Sequence, residues 1–197
     1  MKISGFDPLC SGLPAIEGGN KESIGNILES SIKSTVNNIL KSYTGYFDIF
    51  SEMIQNSMDS TQKKFIAKGN SYIPRLWIYI DLKQKSIRLV DNGIGMNLEE
   101  FLLCFRPNVS FKRGDNLRGN KGVGATFLAY GFNYISLQTK NNGCFFSSIL
   151  RQGRQWVDDT SDRIPRPLLE EQKFDVPELL NEESGTVFEN QVNWIRW

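Results

Sequence analysis

The chain has 197 residues, 40% hydrophobic and 23% charged, with a net charge of +1 and no histidine. That length suits one domain, which buries roughly 70% of its unfolded-chain surface and needs no staples. The even charge argues against bulk attraction to nucleic acid or membrane, and the missing histidine leaves proton transfer to carboxylates, lysine, tyrosine, cysteine or water.

Residues 1–20 are rich in Gly, Ser and Pro and read as an irregular arm. Over residues 22–43, Ile24, Ile27, Leu28, Ile32, Val36, Ile39 and Leu40 recur at the spacing of one helical face. This helix is expected to pack on its own domain, the alternative being an arm exchanged within a dimer. A second helix is expected over residues 46–68, stopped by Gly69-Asn70. At about 100° per residue, Glu52, Asn56 and Asp59 share a stripe roughly 60° wide. Phe47, Phe50, Ile54 and Met58 lie on the other side and are expected to face the core. Residues 75–81 and 86–90 read as strands joined by the polar turn Lys83-Gln84-Lys85. Residues 97–105 predict a short helix capped by Asn97, with Glu99 and Glu100 in its first turn. Residues 106–120 read as a basic loop, and 121–130 as a helix entered through glycines. Residues 132–139 and 144–150 predict a hairpin around Asn141-Asn142-Gly143. Residues 158–183 are loop-like, with Pro165, Pro167 and Pro177, and 185–189 form a last strand. Runs of strands with helices on one side predict an α+β two-layer sandwich.

Cys10, Cys104 and Cys144 are odd in number and far apart, so reduced thiols are expected, not a disulfide framework or a zinc cluster. The first 14 residues lack the basic-then-apolar pattern of a signal peptide. No apolar run approaches the roughly 20 residues of a membrane helix. A cytoplasmic protein with no membrane partner is therefore expected.

Three short motifs follow one another along these elements. In Glu52-x-x-x-Asn56-x-x-Asp59, a carboxylate that reaches a water can orient it and take its proton during attack on a phosphoryl group. An amide oxygen one turn on is a hard ligand suited to Mg²⁺. In Asp91-Asn92-Gly93-Ile94-Gly95-Met96, an acid at a strand end can accept from an exocyclic amine. Gly93 and Gly95 let backbone approach a flat ring, on which Met96 can pack. In Gly119-Asn120-Lys121-Gly122-Val123-Gly124-Ala125-Thr126, backbone N–H groups and a positive dipole end suit phosphate, with Lys121 and Lys112 adding charge. Each motif alone also fits an ordinary surface helix, turn or loop. Together they supply base, metal ligand, purine reader and phosphate cradle. The chain shows neither G-x-G-x-x-G after a strand nor G-x-x-x-x-G-K-[ST]. If this reading is right, Glu52, Asp91 and Gly122 must surround one cavity.

The motifs resemble those of the GHKL ATPase superfamily, which includes DNA gyrase, MutL proteins, heat-shock chaperones, MORC proteins and histidine kinases. Glu52-Met53-Ile54-Gln55-Asn56-Ser57-Met58-Asp59 resembles its N box. Residues 91–96 and 119–126 resemble its two glycine boxes, and Gly185-Thr186 its last box. The likeness covers residues 46–189, with residues 1–45 as an N-terminal arm and helix and 46–197 as the ATP-binding domain. It implies a Bergerat fold: a mixed, mainly antiparallel sheet with helices on one face and a mobile ATP lid at residues 106–118. It implies ATP and Mg²⁺ as cofactors, Glu52 as the catalytic base and Asn56 as the metal ligand. Asp59, Asp91, Gly93, Gly95, Met96, Lys112, Gly119, Lys121, Gly122, Val123, Gly124, Ala125 and Thr186 would then contact the nucleotide. The absence of histidine places the chain nearer the gyrase, MutL and MORC branch than the kinases. There, hydrolysis drives lid closure and an ATP-dependent homodimer, a second domain or a partner supplies a lysine to the γ-phosphate, and nucleic acid contacts belong to other domains. Slow hydrolysis by this chain alone is expected. The alternatives are a nucleotide-sensing or interaction module without hydrolysis, or a GHKL-type protein kinase.

Overall fold

The computed structural model describes residues 3–9, 21–109 and 122–192, with the side chains of residues 21–28 outside that description. The expectations for Lys112, Gly119, Lys121 and most of the lid fall outside these residues.

The first helix, α1 (Lys21–Lys41), buries Val36, Ile39 and Leu40 and half-buries Ile32. It packs on its own domain, against two later helices, α4 (Gly124–Tyr130) and α5 (Gly153–Asp158). A tight corner leads into α2 (Asp48–Lys68). There the Asp48 carboxylate accepts from Gly45 N at 2.7 Å. The buried side of α2 differs from the expectation. Ile49, Met53, Ser57, Asp59, Thr61 and Lys64 go inside, whereas Phe47 is 73% and Met58 38% exposed. Phe50 and Ile54 only lean on the core. Met53 follows Glu52 by one residue, about 100° around the helix, so the core face borders the polar stripe instead of opposing it. A helix at the rim of a cavity needs this arrangement, because one edge is sealed by core and the next is open to the cavity.

Two strands follow, β1 (Leu76–Asp81) and β2 (Ser86–Asp91), then α3 (Leu98–Leu103). The Asn97 side chain accepts from Glu100 N at 2.9 Å while Glu100 accepts from Asn97 N, a capping box that satisfies two otherwise orphaned donors. Beyond α4 come β3 (Tyr134–Asn141) and β4 (Cys144–Arg151). Their two-residue turn holds Asn142 at φ 47° and Gly143 at φ 80°, the left-handed pair that a type I′ hairpin demands. The helix α5, a short strand β5 (Leu169–Glu171) and the strand β6 (Gly185–Gln191) complete the sheet and helices among the described residues. Helix α5 and strand β5 are too short to show a period in the sequence. Gln152 at φ 59° turns the chain out of β4, and burial of Trp156 against Tyr130 holds α5 in place.

The sheet order is β1-β2-β6-β3-β4-β5, and each described pairing is antiparallel. The last strand thus lies in the middle, with Thr186 beside Asp91 on one flank and Thr139 on the other. One face carries Ile87, Leu89, Ile135, Leu137, Leu150 and Phe188 into the helical layer. On the other face, Val90 and Val187 lie under Val176 and Leu179 from the segment before β6. The architecture is a two-layer α/β sandwich with its helices on one face.

Candidate nucleotide-binding site

Between α2, α4 and the ends of β2 and β6 lies a cavity of about 580 Å³, a size that suits a small-molecule ligand. Glu52, Asn56, Asp59, Asp91, Gly95, Met96, Gly122, Val123, Gly124, Ala125 and Thr186 line it. Glu52, Asp91 and Gly122 therefore surround one cavity. Gly93 is not among the lining residues, though its N–H donates to Asp91, which is, and Lys112, Gly119 and Lys121 are outside the described residues.

Asp91 ends β2 and is buried beneath α2. Burial pushes its carboxyl up to about 7, against the pull of donors from Gly93 N, Ser57 and Ser60 and of the Lys64 charge. Gly93 N donates to Asp91 Oδ1 at 2.9 Å and Ser60 Oγ donates to the same oxygen at 3.1 Å. A side chain at Gly93 would run into Ser60, so the glycine sets how closely α2 lies over the strand end. Gly95 has φ 68°, and a Cβ there would meet the Lys140 carbonyl.

Sequence reading missed the residues that fasten this turn. Thr139 Oγ1 accepts from Met96 N at 2.9 Å and donates to Gly185 O at 3.0 Å, and Asn141 Nδ2 donates to Ile94 O at 2.9 Å. Asn92 ties the entry of β1 to the exit of β2: its Oδ1 accepts from Tyr72 and from Arg75 N, both at 2.8 Å, and its Nδ2 donates to Ile73 O at 3.0 Å. Lys64 donates to Asn92 O at 2.9 Å with its ammonium over the Tyr72 ring, and burial lowers its proton affinity. Asn92, next to Asp91 in the glycine motif, and Asn141, in the hairpin turn, carried a signal in the sequence, though not for this role. Thr139, Lys64 and Tyr72 act across tertiary contacts.

Glu52 reaches the cavity from the polar stripe of α2. Its Oε1 accepts from the Tyr43 hydroxyl at 2.8 Å, and its Oε2 lies where a Cβ on Gly124 would fall. Gly122, at φ 61°, turns the chain into α4, and Thr126 Oγ1 fixes that helix by donating to Phe105 O at 3.1 Å. The site therefore offers a buried acceptor at one end and a carboxylate beside glycine backbone at the other. Asn56 lines the wall near Glu52 and supplies a single hard oxygen. No group of three or more His, Cys, Asp or Glu that could hold a metal occurs among the described residues. That donor set fits a Mg²⁺ ion that brings most of its ligands as water and phosphate oxygens.

The family model described as histidine kinase-, DNA gyrase B- and HSP90-like ATPase matches residues 43–186. The chain belongs to this ATPase family. As a GHKL-type ATP-binding domain, it is also similar to the chaperone protein HtpG of Buchnera aphidicola subsp. Cinara cedri, at 24% identity over 193 residues, covering 86% of this chain. The chain spans 29% of that chaperone's length. Among solved structures, the ATPase and transducer domains of DNA topoisomerase II from Balamuthia mandrillaris match with a TM-score of 0.49 and 20% identity, covering 74% of this chain and 36% of the other. The ATPase region of Saccharomyces cerevisiae topoisomerase II matches with a TM-score of 0.49 and 17% identity, covering 74% and 37%. No helix among the described residues of this GHKL domain is long and apolar enough to cross a membrane.

Proposed function

We propose that the cavity binds Mg²⁺-ATP and that the domain hydrolyses it, with Glu52 as the base. The convergence of Glu52, Asp91 and Gly122 on one cavity carries this reading. Asp91 accepts from the exocyclic amine of adenine, held by Gly93 N and Ser60, while Gly95, Met96 and Thr186 enclose the ring. Backbone at Gly122, Val123, Gly124 and Ala125 faces the phosphates. Asn56 would hold Mg²⁺, which neutralises charge on the phosphate oxygens when bound. Glu52 orients a water toward the γ-phosphate and takes its proton. Asp59 lines the same wall and completes the polar stripe. The reading extends to slow turnover by this chain alone and to an ATP-dependent homodimer, the latter checked by sedimentation with and without a non-hydrolysable ATP analogue.

Phosphate release from Mg²⁺-ATP tests the central claim. Glu52→Ala should keep ATP affinity, measured by calorimetry, and lose turnover by about a hundredfold or more, the range of a positioned general base. Unchanged turnover in that variant removes Glu52 as the base, and a wild-type protein that binds ATP without releasing phosphate leaves a sensing module in place of an enzyme.

A further inference from the structure

We propose that Tyr43 is a positioning residue for the water-activating carboxylate, holding Glu52 from the corner between α1 and α2. The inference rests on the hydrolytic reading above and assigns a role to a residue outside every motif found in the sequence.

The geometry has three parts. Tyr43 is anchored just past the end of α1, where its N–H donates to Leu40 O at 3.1 Å. Its ring stacks on Phe127 of α4, with centroids 3.9 Å apart and planes 10° from parallel. Its hydroxyl donates to Glu52 Oε1 at 2.8 Å. One side chain therefore links the end of α1, the helix that carries the carboxylate and the helix whose first residue faces that carboxylate.

The stack alone would ask only for an aromatic ring, and phenylalanine would serve. The hydroxyl adds a cost unless it finds a partner in this half-buried place, and the partner it finds is Glu52. Burial and the neighbouring carboxylates of Glu52 and Asp48 push the phenol well above its ordinary range, so it stays protonated and donates. A glutamate on a helix has three rotatable bonds. With Oε1 engaged by the phenol and Oε2 against Gly124, its carboxylate is confined to one pose. Orientation of a reacting group contributes to rate without changing ground-state substrate binding. Tyr43 should therefore act on kcat and leave the KM for ATP alone.

Tyr43→Phe keeps the stack and removes only the hydroxyl. The expected result is a kcat lowered about tenfold, as for loss of orientation in a near-attack geometry, with the KM for Mg²⁺-ATP and the affinity for ADP within about twofold of wild type. A residue that only packed would lower the melting temperature and the active fraction while leaving turnover per active site unchanged. A thermal-melt cycle checks the contact itself: Tyr43→Phe should shift the melting point less in a Glu52→Ala background than in wild type. A kcat within twofold of wild type, a loss carried by KM, or additive melting shifts would overturn the proposal. Those results leave Glu52 as the base, whereas a wild-type protein with no turnover removes the hydrolytic reading and this inference together.

Discussion

At the scale of single residues, the site places function and stability in opposition. Asp91 accepts from Gly93 N at 2.9 Å and Ser60 Oγ at 3.1 Å, yet its burial outweighs these donors and the pull of Ser57 and Lys64. Its folded-state proton affinity is raised to about 7, above the unfolded value of 3.8. Between those values the folded protein holds a proton that the unfolded chain has released. The stabilisation this gives is present at low pH and is lost as pH rises through about 7. Asp91→Asn keeps an oxygen for the Gly93 and Ser60 donors and removes the charge. The variant should be more stable than wild type at pH 8, by about 2–4 kcal/mol, since each tenfold change in proton affinity is worth about 1.4 kcal/mol. Its advantage should shrink as pH falls below 7. The same change weakens the acceptor offered to adenine and should lower ATP affinity at least tenfold, the value of a hydrogen bond to a charged group. Melting curves across pH and calorimetry with ATP check both halves; equal affinity contradicts the purine-reading role. Gly124 makes the complementary case. Alanine suits a helix better than glycine by about 1 kcal/mol, and the added Cβ would meet only the flexible end of Glu52 among its nearest neighbours. Gly124→Ala should melt no lower than wild type yet lose most phosphate release, because the carboxylate must leave its pose. A variant with full turnover would show that this pose is unimportant.

At the scale of elements, the sheet is held from both sides by different means. The helical side relies on apolar burial. The reverse side combines the small apolar cluster of Val90, Val187, Val176 and Leu179 with a pin from Arg88 on β2, whose guanidinium donates twice to Glu178, at 2.6 and 3.0 Å. The Arg88 hydrogen bond holds the Glu178 carboxyl down at about 2, below its ordinary 4.5. The sign is opposite to that of Asp91: the contribution is present above about pH 4.5 and lost as pH falls through about 2. Glu178→Gln should therefore be less stable than wild type at neutral pH, by about 1 kcal/mol for a pair at the rim. The two proteins should converge near pH 2 in urea melts; a constant gap down to that pH would assign the effect to packing. What the sequence made legible follows the same division. The Asn97 cap and the Asn142-Gly143 turn were readable because their chemistry is complete within four residues. The buried side of α2 was not, since Phe47 and Met58 are apolar yet face outward, and only the neighbouring strand decides which edge is covered. Helix α5 depends on Trp156 finding Tyr130, a contact that no local pattern announces.

At the scale of the whole molecule, the cavity exists because the last strand enters the middle of the sheet. The three motifs were legible as local chemistry, one on a helix, one at a strand end and one at a helix start. Their meeting in one cavity was expected as well; the strand order behind it was not legible, since β6 lying between β2 and β3 brings Thr186 beside Asp91 and lets Thr139 fasten the Met96 turn. The walls thus come from segments as far apart as residue 42 and residue 188. A ligand that bridges such distant segments should stabilise the fold as a unit. Saturation at a hundredfold above Kd adds about 2.7 kcal/mol, which for a domain of this size raises the melting point by roughly 5–10 °C. Mg²⁺-ADP should produce that shift in one cooperative transition, measured by calorimetric scanning, and Asp91→Asn should blunt it at the same nucleotide concentration. If saturating nucleotide leaves the transition where it was, the cavity is not the binding site. If it instead splits the transition in two, the segments that wall the cavity do not fold together, and the ligand stabilises only one of them.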